Sequence, residues 1–443
     1  MVTSIRSRQK DRSKSRRSLC LLLMLLLLPG VTLLSKPIEI TLWHQEEVPN
    51  RIQQWQSVID AFNKSQNQYE VKQQVQNWGT IYQKLPPAIA ARNQPDIQFT
   101  IPDFTLEIRK TGVVQPVDNM VKQLDQLHHF IPAATKPYTY EGHIWSVPLY
   151  GMVQVLYYRK DSFRDAGMDP AKPPQTWDEL LSAAKRLSVK GKYGIGVPLA
   201  KSLATDQVLY SFMCTNHGKD LFNDQSGAVT FNTPDNVKTF TFYAQLAKLS
   251  PPGISNWTWH EPMDAFDAGT SAMAVEKGMY LRTWTTVAKK PQNELGTGPV
   301  PIAAGGERGS IYYSNGAMIM TNDPKKVAGI TEFFKFILEP KMYAKFLLAE
   351  PGLFLPLTAD GNTTAWSNSA ELKGYSYHLN LLMEQSKFGH LFGFTGENIH
   401  PAIGPIAAQS IMAQVIQKIV IGNEDVAAAI AWGQAEMEKI AAE

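Results

Sequence analysis

Between residues 38 and 99, short apolar runs alternate with helix-spaced runs, and this alternation constrains the fold more than any other feature of the chain. Residues 38–43 form a short apolar-rich strand. Residues 51–62 place Ile52, Trp55, Val58, Ile59 and Phe62 at helical spacing. Residues 69–75 alternate Tyr69, Val71, Gln73 and Val75, as a half-exposed strand does. Residues 82–92 read as a helix despite Pro86 and Pro87, and residues 95–99 start a third strand. Strand, helix, strand, helix, strand predicts parallel pairing in an α/β sheet. Ligands of such sheets sit outside the carboxyl ends of the strands, which directs attention to the loops after Trp43 and Phe99.

The later chain keeps this style with clearer punctuation. Thr176-Trp177-Asp178-Glu179 is a capping box that opens a helix. Thr233-Pro234 opens another, with proline at the first helical position. Asp323-Pro324 opens a third, whose Val327, Ile330, Phe333, Phe334 and Ile337 lie at helical spacing before Pro340. Residues 425–441 are alanine-rich and helical. No internal repeat is visible.

Residues 1–18 carry seven basic side chains and one acid, and a leucine-rich run follows at 19–28, broken by Pro29-Gly30. A basic segment before a short apolar one is the pattern of a secretory signal. The run falls short of the roughly 20 residues of a membrane span; extended through Leu34 it leaves an uncleaved anchor as the alternative. Ser35 is the best candidate for the last removed residue, and Cys20 stands at the wrong end of the run for lipid attachment. Residues 1–35 contribute +6 to a whole-chain charge of +3, so the remainder is −3. No basic stripe is left for a phosphate backbone, which excludes nucleic acid as a partner. Beyond the leader only Cys214 remains, so no internal disulfide forms, and in its apolar run it reads as a packed small hydrophobe. A remainder of about 400 residues is long enough for two domains.

The run from 147 to 187 combines a proline-marked crossover (Val147-Pro148-Leu149-Tyr150-Gly151), an apolar strand (Val155 to Arg159), a turn at Ala166-Gly167 and the capped helix after Thr176. This order resembles the inter-lobe crossing of bacterial extracellular solute-binding proteins, the sugar-type receptors of ABC importers. Further positions follow in family order. They are Ile40-Thr41-Leu42-Trp43, Pro95-Asp96-Ile97, the "F-x-x-G-x-x-A-M" pattern from Phe266 to Met273, Gly298-Pro299-Val300-Pro301, Phe334 to Leu338, and Gly352 to Pro356. Each is weak alone, but together they cover nearly the whole chain after the leader.

The resemblance implies an α/β periplasmic-binding-protein fold of two lobes, crossed two or three times, with the ligand between them. On this reading the N-terminal lobe is 36–149 plus 303–330, and the C-terminal lobe is 150–302 plus 331–443. Prolines and glycines near 148–151 and 298–301 are expected hinge limits. The implied partners are a small carbohydrate and the membrane permease subunits of an ABC transporter. The protein is expected to be a periplasmic monomer, to need no cofactor and to catalyse no reaction.

A sugar site wants aromatic planes for C–H faces and polar groups for hydroxyls. Glu46 and Glu47 in the loop after the first strand suit hydroxyls, although acids are also favoured at a solvated helix N-terminus. The resemblance aligns Asp103 with a sugar-binding acid of relatives, while Phe104 and Thr100 depart from the family pattern. It sets Asp206 at a second-lobe polar contact. It also matches Gly278-Met279-Tyr280 to a family "G-P-W" segment, making Tyr280 the stacking plane and Arg282 a nearby donor. Trp257, Trp259 and Tyr312 are further aromatic candidates, as are Tyr313, Phe392 and Phe394. The expected ligand is a neutral disaccharide, short oligosaccharide or glycosyl-glycerol; a glycerol-phosphate ester or metal ion is the alternative, and a glycosidase using Glu46, Glu47 and Asp103 is the remote one. The nine histidines are scattered, and no Walker-type loop, Gly-x-Ser-x-Gly or His-Glu-x-x-His occurs.

Overall fold

The computed structural model describes residues 36–359, 370–395 and 398–443, of which Ile38–Glu443 belongs to one compact unit. The expected leader, with Cys20 and Ser35, lies outside the described residues. Among the described residues no helix is long and apolar enough to cross a membrane.

The chain opens with β1 (Ile38–His44), α1 (Pro49–Ser65), β2 (Tyr69–Val75), α2 (Ile81–Ala90), β3 (Ile97–Thr100), α3 (Pro102–Arg109) and α4 (Asp118–His128). β1 pairs in parallel with β2 and with β3, as the alternation predicts. Trp55, Val58, Ile59 and Phe62 form the buried face of α1. Asp96 fixes the entry to β3: its carboxylate accepts the Thr41 amide at 2.9 Å and the Lys326 ammonium at 2.9 Å.

Next come β4 (Val147–Val153), β5 (Val155–Arg159), α5 (Trp177–Leu187), α6 (Leu203–Cys214), α7 (Pro234–Ala247), α8 (His260–Ala268), β6 (Met273–Glu276), α9 (Tyr280–Thr286) and β7 (Leu295–Gly298). The last group is β8 (Ser310–Ile319), α10 (Pro324–Leu338), α11 (Pro340–Leu347), α12 (Ser376–Ser386), β9 (Gly389–Leu391), α13 (Ile403–Gln409), α14 (Ile411–Val420) and α15 (Val426–Ala441). The capping expectations hold. Thr176 Oγ1 accepts the Glu179 amide while Glu179 reaches back to the Thr176 amide, and Thr233 and Asp323 cap α7 and α10; Asp425, not among the expected caps, does the same for α15.

Two sheets result. The first has six strands in the order β9-β8-β3-β1-β2, with β4 also pairing β8. The second has three, with β5 central between β6 and β7 and antiparallel to both. β4 and β5 are buried along their whole length, which is why their sequences run apolar rather than alternating. β4 ends in the first sheet and β5 begins in the second, so the first crossing is the single residue Gln154. The second crossing is 299–309, between β7 and β8. Close to the first crossing, Gly151 of β4 and Leu355 exchange both backbone hydrogen bonds, at 2.8 and 2.9 Å.

Two expected lobe boundaries shift. The first crossing falls at Gln154 rather than after 149. Residues 331–347, assigned by sequence to the second lobe, lie on the first sheet instead, because the apolar faces of α10 and α11 have partners there. Phe333 and Phe336 meet Phe62 at 5.1 and 5.7 Å, and Phe346 meets Trp55 at 5.0 Å. The helix α14 packs with α6, α7 and α15, and α15 also packs with α7, while α13 touches α6 but packs chiefly on α3. Gly151, inside the expected hinge, has no room for a side chain, since a Cβ there would meet the Tyr312 hydroxyl at 2.6 Å.

Candidate functional site

A cavity of about 90 Å³ lies between the two sheets. From the first sheet and its loops come Glu46, Arg51, Trp78, Ile101, Tyr150 and Met152; from the second side come Leu203, Ala204, Gln207, Trp259, Lys277 and Met279. Asn315, in β8 of the first sheet, and Leu353, after α11, complete the wall. Its position follows from the topology. The loop after β1 and the start of α1 lie at the carboxyl end of the parallel strands, and Ile101 follows β3 directly. His44 holds the first loop in place: its Nδ1 accepts the Glu46 amide at 3.2 Å, its Nε2 bonds Gln73 at 2.6 Å, and its ring stacks on Trp55.

A buried charge network forms one side. Glu46 accepts the Tyr150 hydroxyl at 2.6 Å and Arg51 Nη1 at 2.9 Å. Arg51 Nε donates to Glu350 at 2.9 Å, and the other Glu350 oxygen accepts Arg282 Nε at 2.7 Å. Burial opposes the charge on Arg51, but Glu46 and Glu350 outweigh it and raise its pKa above the usual guanidinium value. Burial and the neighbouring Glu46 push the Tyr150 phenol well up, so it stays a hydroxyl donor. The guanidinium also lies 5.7 Å from the Trp259 ring centre. Opposite, Lys277 Nζ meets Glu276 Oε1 at 2.9 Å, with both side chains buried.

Asn315 brings an unmet donor to the wall. It is 2% exposed and its Nδ2 has no partner among the described residues. The β8–β4 register shifts between Asn315 and Gly316, an irregularity of the kind that re-aims a side chain. Gly316 permits the close approach, since a Cβ there would stand 2.5 Å from the Val147 carbonyl.

Of the nine residues expected from sequence, Glu46 and Trp259 line this cavity. Arg282 joins it indirectly, through Glu350. Glu47 sits partly exposed beside it, accepting from the Asn77 amide and lying 3.6 Å from His260 Nε2 on the second side. The other five do not line this cavity. Tyr280 is fully buried against Tyr157 at 4.7 Å and Phe266 at 5.1 Å, a core plane rather than a ligand plane; Met279 takes the wall position instead. Asp103 is buried beneath Tyr82, whose hydroxyl donates to it at 2.7 Å. Burial pushes its carboxyl up to about 6 against that hydrogen bond. Asp206 accepts the Ala413 amide at 2.7 Å and so caps α14, and burial raises its pKa well above the carboxylate range. Trp257 is half-buried, near Gly196. Tyr312 lies over Gly151 at the crossing, its phenol pKa raised by burial.

Sequence reasoning missed Arg51, Trp78, Tyr150, Gln207, Lys277 and Asn315. Arg51 carried a legible signal: it precedes Trp55 by one turn on the buried face of α1, a charge where the pattern calls for an apolar residue. Lys277 carried a similar one, at the end of an apolar strand. Among the described residues no group of three or more His, Cys, Asp or Glu is arranged to hold a metal ion.

The chain matches the family model for bacterial extracellular solute-binding proteins over residues 48–344. The sn-glycerol-3-phosphate-binding periplasmic protein UgpB of Escherichia coli (strain K12) is 26% identical over 324 residues, covering 68% of this chain and 70% of its own. An ABC transporter solute-binding protein from Thermotoga lettingae TMO, bound with alpha-D-tagatose, superposes with a TM-score of 0.78 at 22% identity, covering 91% of this chain and 100% of its own. Maltose-bound MalE3 of T. maritima superposes with a TM-score of 0.76 at 17% identity, again covering 91% and 100%.

Proposed function

The chain belongs to the bacterial extracellular solute-binding proteins, and from that premise we propose that it is the receptor of an ABC importer. It captures a neutral sugar, or a glycosylated polyol such as a glycosyl-glycerol, between its lobes and delivers it to the membrane permease. It works as a monomer in the periplasm, exported by the leader at residues 1–35. The family works with ABC permease components, so binding rather than turnover is the task.

The observation that carries this reading is the chemistry of the cavity wall. Trp78, Trp259 and Tyr150 offer aromatic rings, and Asn315, Gln207 and Glu46 offer groups for hydroxyls. The charges are balanced. Arg51 stands between Glu46 and Glu350, Arg282 pairs with Glu350, and Lys277 pairs with Glu276. A phosphate dianion would have to enter beside these carboxylates, whereas a neutral sugar adds no charge to the balanced wall. Glu46 is the one acid in the wall among the described residues, while glycoside hydrolysis needs two carboxyls flanking one bond. A ligand that touches both walls lowers the free energy of the closed form, and the permease then senses occupancy through that form.

The test is a thermal-shift screen of the mature chain against mono-, di- and trisaccharides, sugar osmolytes, glycerol phosphates and metal ions. A ligand at 100 times its Kd adds about 2.7 kcal/mol. One class of neutral carbohydrate raising the Tm supports the reading. A response confined to glycerol 3-phosphate, the ligand that names the UgpB relative, or to a metal ion overturns the neutral-sugar assignment.

A further inference from the structure

We propose that Lys277 senses the occupant of the cavity and passes that state, through Glu276 and Gln154, to the two crossings between the lobes. This rests on the receptor reading and adds positioning residues to it.

Lys277 follows β6 directly and lines the cavity, yet it is only 7% exposed. An ammonium has three N–H donors. Among the described residues one acceptor meets them, Glu276 Oε1 at 2.9 Å. A buried ammonium with unmet donors is costly, and ligand oxygens in the cavity are placed to meet them.

Glu276 Oε1 is shared. Besides the ammonium it accepts the Lys277 backbone amide at 2.9 Å and Gln154 Nε2 at 3.2 Å, the longest of the three. Gln154 is the single residue between β4 and β5, and it is fully buried. Its Oε1 accepts the Ser211 hydroxyl of α6 at 2.6 Å. Ser211 Oγ in turn accepts the Ile311 amide at 3.1 Å, and Ser310 Oγ donates to the Gln154 carbonyl at 2.8 Å. Ser310 opens β8, at the far end of the second crossing. A continuous buried chain of hydrogen bonds thus runs from the cavity wall to both crossings.

The chain transmits because its members compete. When ligand oxygens draw the ammonium away, Glu276 Oε1 loses one of three donors and its bond to Gln154 shortens. Away from water, hydrogen bonds that share an atom alter one another's strength. Gln154 then grips the first crossing through its amide and the second through Ser211 and Ser310.

The experiment is a double-mutant cycle read twice, by calorimetric affinity and by ligand-free Tm. The probes are D-tagatose, ribitol, maltose and glycerol 3-phosphate, and the variants are Lys277→Met, Gln154→Leu and both together. Lys277→Met alone is expected to weaken binding about 10- to 100-fold, as for a lost charged hydrogen bond. In the Gln154→Leu background it is expected to cost at least about 5-fold less, with the ligand-free Tm showing that each variant is folded. Should Gln154→Leu fail to fold, Ser211→Ala breaks the same chain by removing one hydroxyl. Additive effects on affinity, or unchanged affinity in Lys277→Met, overturn the proposal and leave the receptor reading standing. A wild-type chain that binds none of the probes overturns both.

Discussion

Single residues divide here into those that meet the cavity and those that resemble site residues but hold the fold. Asp103 belongs to the second group. Its carboxyl is buried and titrates near 6 in the folded chain against 3.8 as the ordinary value. A carboxyl raised in this way favours the protonated folded state. Its contribution is full below about pH 4, is lost as pH rises through about 6, and amounts to roughly 3 kcal/mol across that window. Asp103→Asn is therefore expected to match the wild type near pH 4 in urea denaturation and to exceed it at pH 7. Equal stability at both pH values would contradict the assignment. Tyr280→Ala makes the complementary case. Removal of a ring stacked on Tyr157 and edge-on to Phe266 is expected to cost about 3–5 kcal/mol of folding stability. Carbohydrate affinity in the folded fraction should hardly change; a large loss of affinity with stability intact would restore Tyr280 to the site.

At the scale of elements, the contact of α13 with α3 ties the C-terminal helices to the first lobe. It is close because position 404 is glycine: a Cβ would stand 2.9 Å from the Glu107 nitrogen and 3.1 Å from the Asp103 carbonyl. Gly404→Val is expected to destabilise the chain by about 1–3 kcal/mol, the usual cost of overpacking, as a lowered Tm. An unchanged Tm would mean the two helices are free to separate. The elements themselves were largely legible. Period-2 and period-3.6 patterns located β1, α1 and β2, and side-chain caps at Thr176, Thr233, Asp323 and Asp425 opened their helices where expected. Lobe membership was less legible. The face of α10 is apolar whichever sheet it covers, and contacts such as those with Phe62, Ile40 and Asp96 assign it to the first. The site was the least legible part. Tyr280 and Met279 are neighbours in sequence, and the start of α9 alone decides which of them faces the cavity and which the core.

For the whole molecule, two sheets joined through Gln154 and through 299–309 enclose a charge-balanced, aromatic-walled cavity between them. The central claim is that this cavity is the carbohydrate site of a receptor. Trp259 tests it most directly, because it is a ring in the wall with part of its face over Arg51 rather than packed in the core. The decisive measurement is calorimetric titration of the wild type and of Trp259→Ala with the neutral sugars of the screen. The account predicts one-to-one binding of one sugar class by the wild type, and a loss of about 1–3 kcal/mol in affinity in the variant, with its Tm little changed. Absence of binding by every sugar, or equal affinity in the two proteins, would contradict it.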